Sequence, residues 1–208
     1  MSAAATVPPL PPLSDPSTPY TVVMVCTGNI CRSAMAQVVL MDRLDGAGEG
    51  SGVVVTSAGV SDEEHGHPMD PRARQVLRAH GYGESEDAVG RAVSAAIDGH
   101  VAHRVSDREL KTADLLLAMT RAHEAELLRR LRALRLDEGR VRMFRSFDPL
   151  VSDRSGTPEG QPRGRDLDVQ DPWYGTISDF EDTLAVVERV CDVLAPALNE
   201  VEGPTARR

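Results

Sequence analysis

Apolar and polar positions along this chain change period repeatedly, and each change marks an element. Residues 20–26, YTVVMVC, form an almost unbroken apolar run of strand length, the pattern of a strand covered on both faces. From Ser33 to Leu44, SAMAQVVLMDRL, apolar residues return every three or four positions, the period of a helix packed along one side. The alternation continues with a strand at GVVVTSAG (52–59) and a helix at DPRARQVLRAHG (70–81). In that helix Asp70 is the cap, Pro71 the first helical residue and Gly81 the stop. ADLLLAM (113–119) is a third strand, and Thr120 caps a helix over RAHEAELLRRLRAL (121–134). VRMF (141–144) is a short fourth strand. SDFEDTLAVVERVCDVLAPAL (178–198) is a closing amphipathic helix, with Ser178 and Glu181 as its capping box.

Strands alternating with helices predict an α/β doubly wound fold: a central parallel four-stranded sheet with helices on both faces, in three layers. Residues 1–19, dense in proline, read as a disordered or polyproline-like tail, and 201–208 as a second flexible tail. Residues 20–200 are expected to form one domain. Two stretches look inserted: 83–99, small and acidic, with the makings of an extra helix, and 152–165, with the composition of a loop.

Composition narrows the function. The 208 residues carry a formal charge of −9, which argues against broad attraction to nucleic acid or an anionic membrane. No apolar run approaches a membrane span, and no secretory signal is visible at the start. The three cysteines are too few and too uneven for a disulfide framework, so free thiols in a reducing cytoplasm are expected.

Two of those cysteines fall in CTGNICRS (26–33), between the first strand and the first helix. In a doubly wound fold this is where a site belongs, at the carboxyl end of a strand. The following helix leaves its first N–H groups unpaired and favours an anion there. Thr27 to Cys31 supply loop amides, and Gly28 and Asn29 tolerate the backbone turns that point amides inward as an anion nest. Arg32 adds a planar fork for two oxygens of one phosphate. The same donors stabilise a thiolate at Cys26, with Ser33 placed to donate one more hydrogen bond. A thiolate under a phosphate is a nucleophile for a phosphocysteine intermediate. Cys31 has two readings: a partner that protects oxidised Cys26 as a disulfide, or a small apolar residue packed beneath the loop. Asp171, in DPWYG (171–175), could supply a proton to a leaving group; by itself the segment reads first as a turn. Asp166, Asp168 and Asp179 lack that setting and read as loop charges.

The string CTGNICRS closely resembles the phosphate loop of the low-molecular-weight protein tyrosine phosphatases of the bacterial type. TSAGV (56–60), PMDPRA (68–73), LRAHGY (77–82), ADLLLAMTRAHEAEL (113–127) and DPWYG (171–175) resemble further family segments in family order. The resemblance implies a metal-independent and cofactor-free hydrolase acting on phosphotyrosyl proteins, in which Cys26 is the nucleophile, Arg32 binds phosphate and Asp171 is the general acid. It implies phosphate or sulfate binding through Thr27, Gly28, Asn29, Ile30, Cys31 and Ser33. It also makes Asn29 a loop-ordering residue bonded to Ser57 and His80, and makes Trp173 and Tyr174 a wall of the cleft. The protein is expected to be a monomer or weak dimer.

Three departures stand out. Ala34 replaces a common proline, Thr120 stands where the family often has Asp, and Glu63 or Glu64 occupies the region of a usual cleft tryptophan. His65, His67, His100, His103 and His123 receive no role. A related activity, phosphoarginine phosphatase, is disfavoured by Ile30, where relatives with that activity tend to have threonine. Arsenate reductase would need relay cysteines, and only Cys191, in the apolar stripe of the last helix, remains. A non-catalytic phosphate-binding module is disfavoured by the joint presence of Cys26, Arg32 and Asp171.

Overall fold

The computed structural model describes residues 8–44, 52–152 and 167–201. Its four strands are β1 (Tyr20–Cys26), β2 (Val53–Gly59), β3 (Leu115–Ala118) and β4 (Val141–Met143), all parallel and ordered β2-β1-β3-β4. The chain passes from β1 outward to β2 and then returns to the other side of β1 for β3. Such a reversal opens a crevice at the carboxyl ends of the central strands. The loop after Cys26 lies in that crevice.

Side-chain alternation along the strands divides the interior in two. Val22, Met24, Leu115 and Leu117 face a core shared with α1 (Arg32–Arg43), α2 (Pro71–Ala79), α3 (Ala88–Asp98) and α7 (Ile177–Asn199). Val23, Val25, Leu116 and Ala118 face a smaller core with α4 (Asp107–Thr112) and α5 (Arg121–Leu134). Helices therefore cover both faces, and every residue of the central strands except the half-buried Thr21 is buried, as their apolar runs predict. A short α6 (Pro149–Ser152) completes the described helices.

Several expectations are corrected. Residues 8–19, read as part of a disordered tail, lie on the body: Leu10 and Leu13 pack against the larger core. The Tyr20 hydroxyl, buried at the start of β1, donates to the Pro11 carbonyl (2.9 Å). The buried Asp114 carboxylate accepts from Ser14 N (2.7 Å) and Thr21 N (2.8 Å). Prolines prevent helix and ladder, but they leave carbonyls and apolar rings available, and buried polar groups demand partners. Residues 1–7 and 202–208 lie outside the described residues, as does nearly all of the stretch 152–165.

The stretch 83–99 contains α3, N-capped by Asp87, which accepts from Gly90 N (2.7 Å). Helix α4 has no counterpart in the periodicity reading, because six residues are too few to show a period. Its signature is local instead, a capping box between Ser106 and Glu109. The capping box expected at Ser178 and Glu181 is displaced: the N-cap of α7 is Thr176, whose N–H (2.6 Å) and hydroxyl (3.0 Å) both donate to Asp179.

Candidate active site

At the end of β1 the chain turns sharply, and Asn29 takes a left-handed conformation with φ 62°. That is the region asparagine tolerates better than most residues. The turn aims Asn29 N–H at Cys26 Sγ (3.3 Å). The Asn29 side-chain amide donates to Ser33 Oγ (3.0 Å) and Ser57 Oγ (2.9 Å), and Ser57 passes its own proton to Gln37 Oε1 (2.6 Å). Ser33 Oγ lies 2.9 Å from Cys26 Sγ. With that oxygen accepting from Asn29, its proton is free to point at the sulfur. Cys26 Sγ thus faces two hydrogen-bond donors, the Asn29 N–H and the Ser33 hydroxyl.

Beyond the loop, α1 begins with Cys31 as its N-cap and no side-chain cap. The orphan amides of this twelve-residue helix therefore face the crevice. Arg32, buried at 4% exposure, runs across the site floor. Its Nη1 donates to the Val169 carbonyl (3.3 Å), and its Nη2 donates to Thr27 Oγ1 (3.2 Å) and Asp171 Oδ2 (2.5 Å). Its Nε is buried with no partner among the described residues. A buried cationic N–H left unpaired beside a nest of amides is the complement of an oxyanion.

The segment DPWYG forms the turn that its sequence by itself suggests, closed by Gly175 N donating to the Pro172 carbonyl (2.9 Å) and by Trp173 N donating to Asp171 Oδ1 (3.2 Å). The turn also points the other Asp171 oxygen at Arg32. Asp168 and Asp179, the competing carboxylates, have structural tasks: Asp168 accepts from Arg121 N (2.8 Å) at the head of α5, and Asp179 caps α7. Asp166 lies outside the described residues.

Around the opening stand Cys26, Thr27, Gly28, Ile30, Cys31, Arg32, Glu63, Glu64, Asp171, Trp173 and Tyr174. The two glutamates share that lining with Trp173 and Tyr174. The stem of Glu64 rests on Gly28, where an added Cβ would come within 2.7 Å of Glu64 Cγ. The Glu64 carboxylate turns away to His67 Nδ1 (2.7 Å). Cys31 is buried in the core beside the loop, and burial, reinforced by the charge of Asp70, pushes its thiol far above the ordinary range. Cys191 is buried within α7, as its place in the apolar stripe predicts.

His80 is not brought to Asn29. Its Nε2 pairs instead with Glu181 Oε2 (2.7 Å) on α7, so the two residues given other roles by the sequence reading meet each other. Ser57 holds Asn29 as expected, and two histidines with no role assigned from the sequence hold it as well. His100 Nε2 donates to the Asn29 carbonyl (2.6 Å), and His103 N donates to Asn29 Oδ1 (3.2 Å). Burial lowers the affinity of His100 for a second proton. A third, His123, sits at 4% exposure with Nε2 3.0 Å from Thr27 Oγ1 and Nδ1 unpaired among the described residues. Burial, with the charge of Arg32 adding to it, draws its pKa down to about 3. Among the described residues no group of three or more His, Cys, Asp or Glu could hold a metal ion, and no helix is long and apolar enough to cross a membrane.

Fold and site together define a class: α/β proteins built to hold an oxyanion over a cysteine sulfur at the carboxyl end of a parallel sheet. Residues 21–203 match the family described as low molecular weight phosphotyrosine protein phosphatase, and the chain belongs to that family. Over 172 residues it is 44% identical to the low molecular weight protein-tyrosine phosphatase A of Mycobacterium tuberculosis, covering 83% of this chain and 87% of that one. It is 38% identical over 188 residues to the low molecular weight protein-tyrosine-phosphatase of Streptomyces coelicolor, covering 90% and 99%. Among solved structures, the YwlE arginine phosphatase from Geobacillus stearothermophilus superposes with a TM-score of 0.60 at 26% identity, over 86% of this chain and 93% of that one.

Proposed function

We propose that this protein hydrolyses phosphotyrosine in protein substrates through a phosphocysteine intermediate. The observation that carries the reading is the convergence of three groups on one crevice: Cys26 Sγ under its donors, the buried fork of Arg32, and Asp171 on the opposite lip. Phosphate oxygens would take the loop amides, the first amides of α1 and Arg32. The sulfur then attacks phosphorus as the bond to the phenolic oxygen breaks, and the Asp171 carboxyl gives its proton to that oxygen. In the second step the Asp171 carboxylate takes a proton from water, the water oxygen bonds to phosphorus, and the S–P bond breaks. Inorganic phosphate leaves and the thiolate is restored.

The apolar side chain of Ile30 at the opening suits a phenyl ring better than a guanidinium, and the rings of Trp173 and Tyr174 beside it can stack on that ring. These same features favour phosphotyrosine over the phosphoarginine substrates of the YwlE-type relatives. The test is a parallel assay on phosphotyrosyl, phosphoseryl and phosphoarginyl peptides, in EDTA, with wild type and Cys26→Ser. Turnover of the phosphotyrosyl peptide, unaffected by EDTA and abolished by Cys26→Ser, is the expected outcome. Activity surviving in Cys26→Ser would sink the mechanism, and a preference for the phosphoarginyl peptide would replace the substrate.

A further inference from the structure

Arg72, on the first turn of α2, has a denser set of partners than a helix-surface arginine needs. Its Nε and Nη2 grip the two oxygens of Asp70 (3.1 and 2.8 Å). Its Nη2 also donates to the Trp173 carbonyl (3.1 Å), and its Nη1 to the Gly175 carbonyl (3.0 Å). The guanidinium lies over the Phe180 ring at 4.6 Å and near the Trp173 ring at 5.8 Å. Asp70 is itself buried, caps α2 through Arg72 N (2.8 Å), and donates its own N–H to the carbonyl of Ile30 (2.9 Å). A bonded path therefore runs from Ile30 in the phosphate loop, through Asp70 and Arg72, to two carbonyls of the turn that presents Asp171.

We infer that Arg72 is a positioning residue for the general acid, locking the turn of Asp171 to the phosphate loop. This rests on the reading of Asp171 given above. Beyond its own turn, Asp171 is held only by Arg32 among the contacts described, and Arg32 is the group a phosphate would claim. Once substrate occupies Arg32, Arg72 still holds the Trp173 and Gly175 carbonyls, with Thr176 fixed next along the chain as the N-cap of α7, while Val169 anchors the upstream side by its N–H to the Met119 carbonyl (2.8 Å). The two arginines divide the work: one exchanges the acid for phosphate, and the other holds the acid loop through that exchange. Displacing a catalytic group by about 1 Å can cost on the order of 100-fold, so this tether acts directly on rate.

The test uses aryl phosphates whose leaving groups span a wide range of basicity, from 2,4-dinitrophenyl to phenyl phosphate. Arg72→Met keeps an unbranched apolar side chain and removes the fork; Arg72→Lys keeps the charge. A good leaving group needs no proton, and a poor one does. For Arg72→Met, kcat/KM is expected to fall about 10- to 100-fold with phenyl phosphate and to change little with the dinitrophenyl ester. The inhibition constant for inorganic phosphate should stay near that of wild type, and Arg72→Lys should recover part of the loss. Combined with Asp171→Asn, Arg72→Met should add nothing further. An equal loss across all leaving groups, or additivity with Asp171→Asn, would overturn the inference. If Arg72→Met fails to fold, the same leaving-group profile read on Arg72→Lys decides the question. Should Asp171→Asn itself show no leaving-group dependence, the assignment of the acid has failed rather than that of its tether.

Discussion

Arg32 Nη2 and Asp171 Oδ2 lie 2.5 Å apart, with Arg32 nearly buried and Asp171 about half exposed. On the function proposed above, the guanidinium that would grip phosphate is held by the carboxylate that would deliver a proton. A carboxylate in that place competes with an incoming anion for the same N–H and repels it as a like charge. Asp171→Asn should therefore bind inorganic phosphate more tightly, by about fivefold if the half-exposed pair contributes about 1 kcal/mol, while kcat/KM for phenolic esters falls by about 10²–10⁴-fold. Calorimetric titration with phosphate, set beside the kinetics, checks both halves. Weaker phosphate binding in the variant would show that the pair orders the site rather than blocking it.

His123 makes stability depend on pH. In the folded protein burial keeps the ring neutral, with a pKa of about 3, whereas in the unfolded chain it protonates near 6.5. Below that value the unfolded state takes up a proton that the folded state refuses, so stability falls as pH drops from about 6.5 towards 3. Between pH 7 and pH 5 the loss amounts to about 2 kcal/mol. His123→Gln, which keeps a polar atom near Thr27 Oγ1, should flatten this slope. Denaturant unfolding of both proteins at the two pH values measures the difference, and parallel slopes would refute the assignment.

Gly59 closes β2 directly beneath the phosphate loop, and a Cβ there would lie 2.4 Å from the Thr27 carbonyl oxygen and 3.3 Å from Asn29 N. Both are backbone atoms of the anion nest and cannot rotate away. Gly59→Ala should cost about 1–3 kcal/mol of stability and reduce kcat/KM, because the loop must shift to admit one methyl group. A thermal melt and a kinetic assay on the variant test this, and an unchanged kcat/KM would mean that the loop tolerates displacement.

Glu63 and Glu64 line one side of the opening. Phosphopeptides with Lys or Arg beside the phosphotyrosine should be turned over a few-fold faster than those with Glu or Asp, and more so at low salt. Glu63→Lys, which leaves one charge of each sign beside the opening, should flatten that preference. A set of peptides differing only at flanking positions, assayed at two ionic strengths, provides the measurement.

Much of the site was legible because its parts are neighbours along the chain. Cys26, Asn29, Arg32 and Ser33 fall within one strand-to-helix turn, where local backbone preference and the orphan amides of α1 dictate the arrangement. Asp171 became legible only through its family resemblance, since DPWYG by itself describes a turn, and a turn is also what it is. The histidines around the loop could not be read locally. His100 and His103 lie more than 70 residues beyond Asn29 in sequence, and His123 lies 96 residues beyond Thr27. A histidine in a short polar stretch carries no mark of what will pack against it. The same blindness gave His80 a partner it does not have, because a histidine at a helix end is chemically suited to several neighbours and only packing chooses Glu181.

By itself the sequence determined the order of the four strands and the longer helices among the described residues, the parallel sheet and the residue types of the loop after β1, since each depends on residues a few positions apart. The folded arrangement alone decided what stands across from that loop: the acid at 171 upon Arg32, the clasp of Arg72, and the buried imidazoles behind Thr27 and Asn29. Side-chain contacts between remote segments depend on how helices settle onto the two faces of the sheet, and no pattern confined to one segment contains that information.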